Sequence, residues 1–276
     1  WDPATRRAAI IDPVLDYDPH SGRTGTQTAE QLIAIVEAEG LRVDWLLETH
    51  AHADHMSALA FLKARFDAPT AIGARITEVQ ARFARLFNPG EGFATDGRQF
   101  DHCFVDGETF ALGELRAQVF HTPGHTSDHI TYVIGDAVFV GDTLFMPDAG
   151  TARCDFPAGS ARDLYRSIQR LFAALDDDQR VFLLHDYGTD TREPACQTTI
   201  GEQRQANIHV AEGVSEDDYV AMREARDATL PMPVLILPAV QVNIRAGHFP
   251  PAESNGLRYL KIPVDEFGAH WQPRER

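Results

Sequence analysis

The stretch Thr49-His50-Ala51-His52-Ala53-Asp54-His55 constrains this chain more than any other, because it places four side chains of metal-ligand type within six residues. Ahead of it, the apolar run from Val43 to Glu48 reads as a buried strand. Behind it, Met56 to Phe66 carries apolar residues at helical spacing, which predicts a helix. The ligand-type residues therefore sit on a strand-to-helix loop. Imidazole suits zinc, iron and copper while carboxylate accepts harder ions, so the mixture points to a transition metal. A lone loop histidine is ordinarily a solvated residue; ligand types at this density argue for a site.

Such a loop needs a rigid scaffold, and the chain is able to supply one. With 276 residues, 43% hydrophobic and 24% charged, it has the makings of a full core rather than of a disordered chain. No Ser/Gly/Pro-rich linker divides it, which predicts a single domain over residues 1–276, with its core over roughly 1–195 and a C-terminal extension over roughly 196–276. Lys and Arg total 25 against 41 Asp and Glu, a formal charge of −16. That balance opposes nonspecific binding to nucleic acid or to an anionic membrane, and a small anionic substrate would need a local cationic island. Cys103, Cys154 and Cys196 are odd in number and widely spaced, so neither a disulfide framework nor a thiolate zinc site is indicated, and a reducing cytoplasm fits best. No apolar segment approaches the length of a membrane span and no signal-peptide pattern is visible. The chain starts at Trp1, which leaves room for an earlier strand.

Helical periodicity predicts helices over Thr28–Glu39, stopped by Gly40, over Ile76–Phe87, and over Ser160–Leu175 with Ser160 and Asp163 as a capping pair. Short strands are expected at Ala68–Gly73, Thr109–Leu112 and Leu115–Phe120, with a Gly-rich surface loop over Asn88–Gly97. The strand ending at Phe120 leads into His121-Thr122-Pro123-Gly124-His125-Thr126, where Pro-Gly forces a turn that can aim His125 back over the strand end. Ile130–Ile134 and Ala137–Val140 read as a hairpin joined by Gly135-Asp136, and the return strand runs into Gly141-Asp142-Thr143. A further apolar run, Val181–Leu184, ends in His185-Asp186-Tyr187. Four strands thus end in His or Asp, and strand ends on one sheet edge are where sites are built. His20, His102, His129, His209, His248 and His270 lack that placement and read as surface or structural residues, with His121 undecided. Ser215 opens a helix to about Arg226, and the proline-bounded stretch Pro231–Pro238 reads as an edge strand or a packed extension, and as a candidate homodimer contact.

Thr-His-Ala-His-Ala-Asp-His, Pro-Gly-His-Thr, Gly-Asp-Thr and His-Asp-Tyr, in that order, resemble the metallo-β-lactamase superfamily. The resemblance implies an α/β fold, the four-layer αβ/βα metallo-β-lactamase sandwich, here with a C-terminal extension. Within that superfamily, Gly150–Phe156 and Gln241–Gly247 resemble the persulfide dioxygenase branch, including its bacterial biofilm-associated hydrolase-like group. One departure is Ser127-Asp128-His129, where many relatives carry small residues and a cysteine.

What the resemblance implies is one Fe(II) per chain, held by His50, His125 and Asp142, in an enzyme that oxidises glutathione persulfide with O2 to sulfite and glutathione. Two imidazoles and one carboxylate on one face leave positions open for dioxygen and a substrate sulfur. His52, Asp54, His55 and His185 would then orient ligands and bound water, while Arg153, Arg245 and Tyr187 would face the anionic substrate. A glyoxalase II-like thioesterase would use the same residues differently: His50, His52 and His125 on one metal, Asp54, His55 and His185 on a second, and Asp142 bridging. A nonenzymatic metal-bearing module for sulfur species is the third reading.

Overall fold

The computed structural model describes residues 1–266. In chain order its elements are β1 (Arg7–Ile11), β2 (Val14–Asp18), β3 (Arg23–Gly25), α1 (Gln27–Ala38), β4 (Arg42–Leu47), β5 (Met56–Ser57), α2 (Leu59–Phe66), β6 (Thr70–Gly73), α3 (Ile76–Phe87), β7 (His102–Phe104), β8 (Thr109–Leu112), β9 (Leu115–His121), β10 (Ile130–Ile134), β11 (Ala137–Phe139), α4 (Ala161–Ala174), β12 (Arg180–Phe182), β13 (Gln197–Thr199), α5 (Ile200–Ala206), α6 (Glu216–Asp227) and α7 (Ile236–Asn243). The chain forms two compact units, Trp1–Cys103 together with the segment from Pro231 onward, and Phe104–Leu230.

In the first unit, four strands are ordered β1-β4-β6-β7, and β4 runs parallel to both β1 and β6. Parallel strands must be covered on both faces, and Leu46, Leu47, Ala71 and Ile72 are accordingly buried completely. Ile76, Val79, Phe83 and Phe87 recur on one face of α3 and are all buried, as the 3.6-residue period requires. The helix expected from Met56 begins only at Leu59: Met56 and Ser57 instead pair antiparallel with Leu15 and Val14. The cause is that the Ser57 N–H donates to Asn243 Oδ1 at 2.8 Å and its hydroxyl to Glu48, which holds the backbone extended. The stretch expected as an edge strand or packed extension becomes helix α7 from Ile236. Pro238 lies in its first turn, where the missing N–H breaks no intrahelical bond.

The second unit is built on six strands ordered β13-β12-β11-β10-β9-β8, antiparallel except for β11 with β12. Gly135 turns the β10–β11 hairpin at φ +61°, as its Gly-Asp pair predicts. Ser160 caps α4 by accepting the Asp163 N–H at 3.1 Å, and Leu164, Ile168, Leu171 and Phe172 pack with Val133, Val138, Val140 and Val181 in one core. Gly124 stands where α4 comes closest: a Cβ there would lie 2.3 Å from the Leu164 backbone, so only glycine lets the turn before His125 seat on the helix. Among the described residues, no helix is long and apolar enough to cross a membrane.

Candidate metal centre

In the first unit the ligand loop follows β4, and its histidines stack: the ring centroids of His50 and His52 are 4.1 Å apart and those of His52 and His55 4.2 Å. Each ring is oriented by its other nitrogen. His50 Nδ1–H donates to Thr49 Oγ1 at 3.0 Å, and that hydroxyl donates to Asp12 Oδ2 at 2.9 Å, so the lone pair of His50 lies on Nε2. His52 Nε2 sits between Asp12 Oδ1 at 2.9 Å and Glu48 Oε2 at 3.0 Å, while its buried Nδ1 has no hydrogen-bond partner among the described residues. His55 Nδ1 faces Asp54 Oδ2 at 3.3 Å, and its Nε2 is likewise buried without a partner there. One donor atom each from His52, Asp54 and His55 falls within 4.8 Å of the others.

The acids behind this loop were not singled out in the sequence. Asp12 follows β1 at φ +50°, a left-handed conformation that an L-residue keeps only where its surroundings compel it, and its carboxylate accepts the Thr49 N–H at 2.7 Å. Burial pushes the Glu48 carboxyl up to about 7, against the pull of His52. Burial also opposes charge on His52, but Asp12 and Glu48 outweigh it and hold the imidazole pKa well above its usual value. Burial, reinforced by His52, lowers that of His55. Asn243 was missed as well. Its Nδ2 donates to the carbonyls of both His52 and His55 at 2.8 Å, so α7 clamps the loop from 188 to 191 residues away in sequence. The signal lay inside Gln241–Gly247, which carried the branch resemblance.

In the second unit three of the four expected strand-end residues come together. His125 Nε2 lies 3.4 Å from Asp142 Oδ2, and His185 Nε2 lies 3.5 Å from Asp142 Oδ1. His125 Nδ1–H donates to the Arg153 carbonyl at 2.8 Å, which again leaves the lone pair on Nε2. A lone pair and a carboxylate oxygen at that spacing repel unless a cation or proton lies between them. His129, expected to be a surface or structural residue, is fully buried; its Nε2 accepts the Asp142 N–H at 3.0 Å and its Nδ1 meets Thr122 Oγ1 at 3.0 Å. It thereby fixes where Asp142 starts. His121 Nε2 turns instead to the Ser127 carbonyl at 2.9 Å. His209 is buried against Thr151, His20 and His248 are exposed, His102 packs edge-on against Trp45, and His270 lies outside the described residues.

Both units therefore carry imidazole nitrogens, with the tautomers of His50 and His125 set by their neighbours, and each has a carboxylate beside them, Asp54 in the first and Asp142 in the second. This donor set fits Zn²⁺ or Fe²⁺ and lacks the thiolates of a structural zinc site. Of the residues expected to face substrate, Arg153 is bound in a fork by Asp155 at 2.6 and 2.7 Å and lies over the Phe156 ring. Arg245 sits 4.4 Å over the Phe93 ring; its buried Nε has no partner among the described residues, and burial lowers its pKa. It lines a cavity of about 210 Å³ with Lys261 and Tyr259. Tyr187 is 89% exposed, with its ring parallel to that of His185.

Comparison with known proteins agrees with this donor chemistry. The chain is 54% identical to a probable metallo-hydrolase of Burkholderia pseudomallei over 96% of its length and 93% of the relative's. It is 47% identical to Glyoxylase B2 of Dictyostelium discoideum over 96% and 91%. Against the Beta-lactamase hydrolase-like protein of Xylella fastidiosa, 52% identical, it spans 62% of the relative's length. Among solved structures, ETHE1 from Myxococcus xanthus matches with a TM-score of 0.69 at 33% identity, covering 90% of this chain and 92% of that one. The human persulfide dioxygenase ETHE1 is 27% identical over 89% and 82%. The family model of the metallo-beta-lactamase superfamily matches residues 7–182, which takes in every histidine and aspartate described above as a ligand candidate except His185, and the chain belongs to that superfamily.

Proposed function

We propose that this protein is a persulfide dioxygenase: one Fe(II), held by His50, His125 and Asp142, with glutathione persulfide and O2 as substrates. The observation that carries the reading is the likeness to ETHE1 from Myxococcus xanthus along nine-tenths of both chains. At 90% of this chain that likeness extends beyond residues 7–182, and in this chain Asn243 grips the ligand loop. When bound, iron in a face of two imidazoles and one carboxylate supplies dioxygen chemistry that no side chain here provides. The protein's own part is to hold the donors. Thr49 and the Arg153 carbonyl set the tautomers of His50 and His125, His129 anchors Asp142, and Asp12 with Glu48 fixes the ring of His52. In this reading His52, Asp54, His55 and His185 orient the ligands and bound water.

Glutathione persulfide is anionic, and a chain of charge −16 must meet it with local cations. Arg245 suits this better than Arg153, because the Arg153 fork is already matched to Asp155 while Arg245 offers a buried N–H beside Lys261. Arg245→Ala should cost about tenfold to a hundredfold in kcat/KM with iron content unchanged, the loss of a charge-assisted hydrogen bond; Arg153→Ala should cost less. Oxygen uptake and sulfite formation with glutathione persulfide test the function directly. Uptake without sulfite, or neither, would refute it.

A second reading, a glyoxalase II-like hydrolase with two zinc ions, is favoured by one feature. His52 Nδ1 and His55 Nε2, buried without a hydrogen-bond partner among the described residues, are additional donors beside Asp54, as a second metal would require. Hydrolysis of a glutathione thioester without oxygen uptake would establish it.

A further inference from the structure

The second unit contains a buried ion pair that the proposed ligand set does not use. Arg223 and Asp227 lie one turn apart on α6 with side chains 2% and 5% exposed, Nη2 to Oδ1 2.6 Å and Nε to Oδ1 2.9 Å. Burying two charges is costly unless each finds further hydrogen bonds. Both find them on the backbone of one loop. Arg223 Nη1 donates to the Thr151 carbonyl at 3.1 Å, and Asp227 Oδ2 accepts the Cys154 N–H at 2.8 Å. These contacts straddle Arg153, whose carbonyl accepts the His125 Nδ1–H. The loop is closed from the other side by His209, whose Nδ1 accepts the Thr151 N–H at 3.0 Å. At Gly150, φ +85°, an added Cβ would lie 2.1 Å from that ring, so only glycine lets the loop pack this closely on His209.

We propose that Arg223 and Asp227 are positioning residues for the metal centre. By gripping the backbone on both sides of Arg153, they hold its carbonyl against His125 Nδ1 and fix the neutral tautomer that presents Nε2 towards Asp142. The proposal rests on the reading of His125 as a ligand. The two tautomers of a free imidazole differ little, so the Arg153 carbonyl, at 2.8 Å from Nδ1 and nearer than Asp142 Oδ2 at 3.4 Å from Nε2, tips the balance towards the Nδ1–H form, and groups that orient a ligating histidine typically govern metal affinity tenfold to a hundredfold. A purely structural ion pair would stabilise α6 and leave the His125 proton where it is.

The double variant Arg223→Met/Asp227→Leu removes both charges without stranding either, which buried pairs commonly tolerate; circular dichroism and thermal melting check its fold. Two quantities are then read: the ring nitrogen shifts of His125 in metal-free protein at a pH where the ring is neutral, and metal affinity by competition with a chelator. The wild type is expected to carry the proton on Nδ1, and the double variant to show both tautomers with affinity lowered about tenfold to a hundredfold. Should the double variant not fold, the isosteric Asp227→Asn is expected to shift the tautomers in the same direction by less. A folded variant with the wild-type tautomer and affinity would overturn the proposal. Mixed tautomers with unchanged affinity would uphold the clamp and overturn the ligand role of His125.

Discussion

At the scale of single residues, the site is a set of imidazoles whose protons have been assigned by their neighbours. His50 and His125 both carry theirs on Nδ1, one towards a threonine hydroxyl and one towards a backbone carbonyl. Removing a ligand is therefore a different change from removing a neighbour. His50→Ala, His125→Ala and Asp142→Ala are each expected to lose iron on gel filtration. Asp54→Asn and His185→Ala are expected to keep much of it while turning over more slowly, with circular dichroism showing all five folded. Equal loss in all of them would sink the one-metal assignment. The ligand-type residues were legible in the sequence because chemistry demands His and Asp there and their spacing is dense. The residues that set the tautomers were not. A backbone carbonyl such as that of Arg153 leaves no mark on composition, and Asp12 looks like any acid before a proline until its positive φ is seen.

At the scale of elements, amphipathic segments were read closely: α3 and β8 run over the residues that periodicity predicts, and α4 carries its expected serine cap. Periodicity failed where long-range bonds decide the backbone. Met56 and Ser57 were drawn out of the expected helix by Asn243 and Glu48, and α7 hid behind prolines that ordinarily end helices. Asn243→Ala removes its side-chain bonds to His52 and His55 in the ligand loop and to Ser57 in β5. It should destabilise the protein by roughly 1–3 kcal/mol, the cost of stranding buried polar groups, and lower iron affinity; urea unfolding and chelator competition measure both. His209 gives a pH dependence to the second unit. Burial, aided by Arg223 and Arg226, pushes its pKa down to about 4 from 6.5. As pH falls from about 6.5 to about 4, the unfolded chain takes up a proton that the folded one refuses. Its contribution to stability is therefore full above about 6.5 and declines below by at most about 1.4 kcal/mol per pH unit. Unfolding midpoints of His209→Gln across that range should lack this slope; an unchanged slope would place it on other groups.

At the scale of the whole molecule, the donor set and the matched family agree on a metal-dependent protein, and the remaining question is how many metals serve which chemistry. Likeness to proteins named as hydrolases and as dioxygenases is spread over nearly the entire chain, so overall resemblance does not separate them; the count of metals does. A triad of two histidines and one carboxylate binds one iron and leaves room for dioxygen and a sulfur, whereas a hydrolytic pair engages His52, Asp54 and His55 as well. The decisive measurement is elemental analysis of protein reconstituted anaerobically with Fe(II) and then freed of excess metal. About one iron per chain, abolished in Asp142→Ala, is expected of the triad; about two metal ions per chain, retained by an active thioesterase, would contradict it.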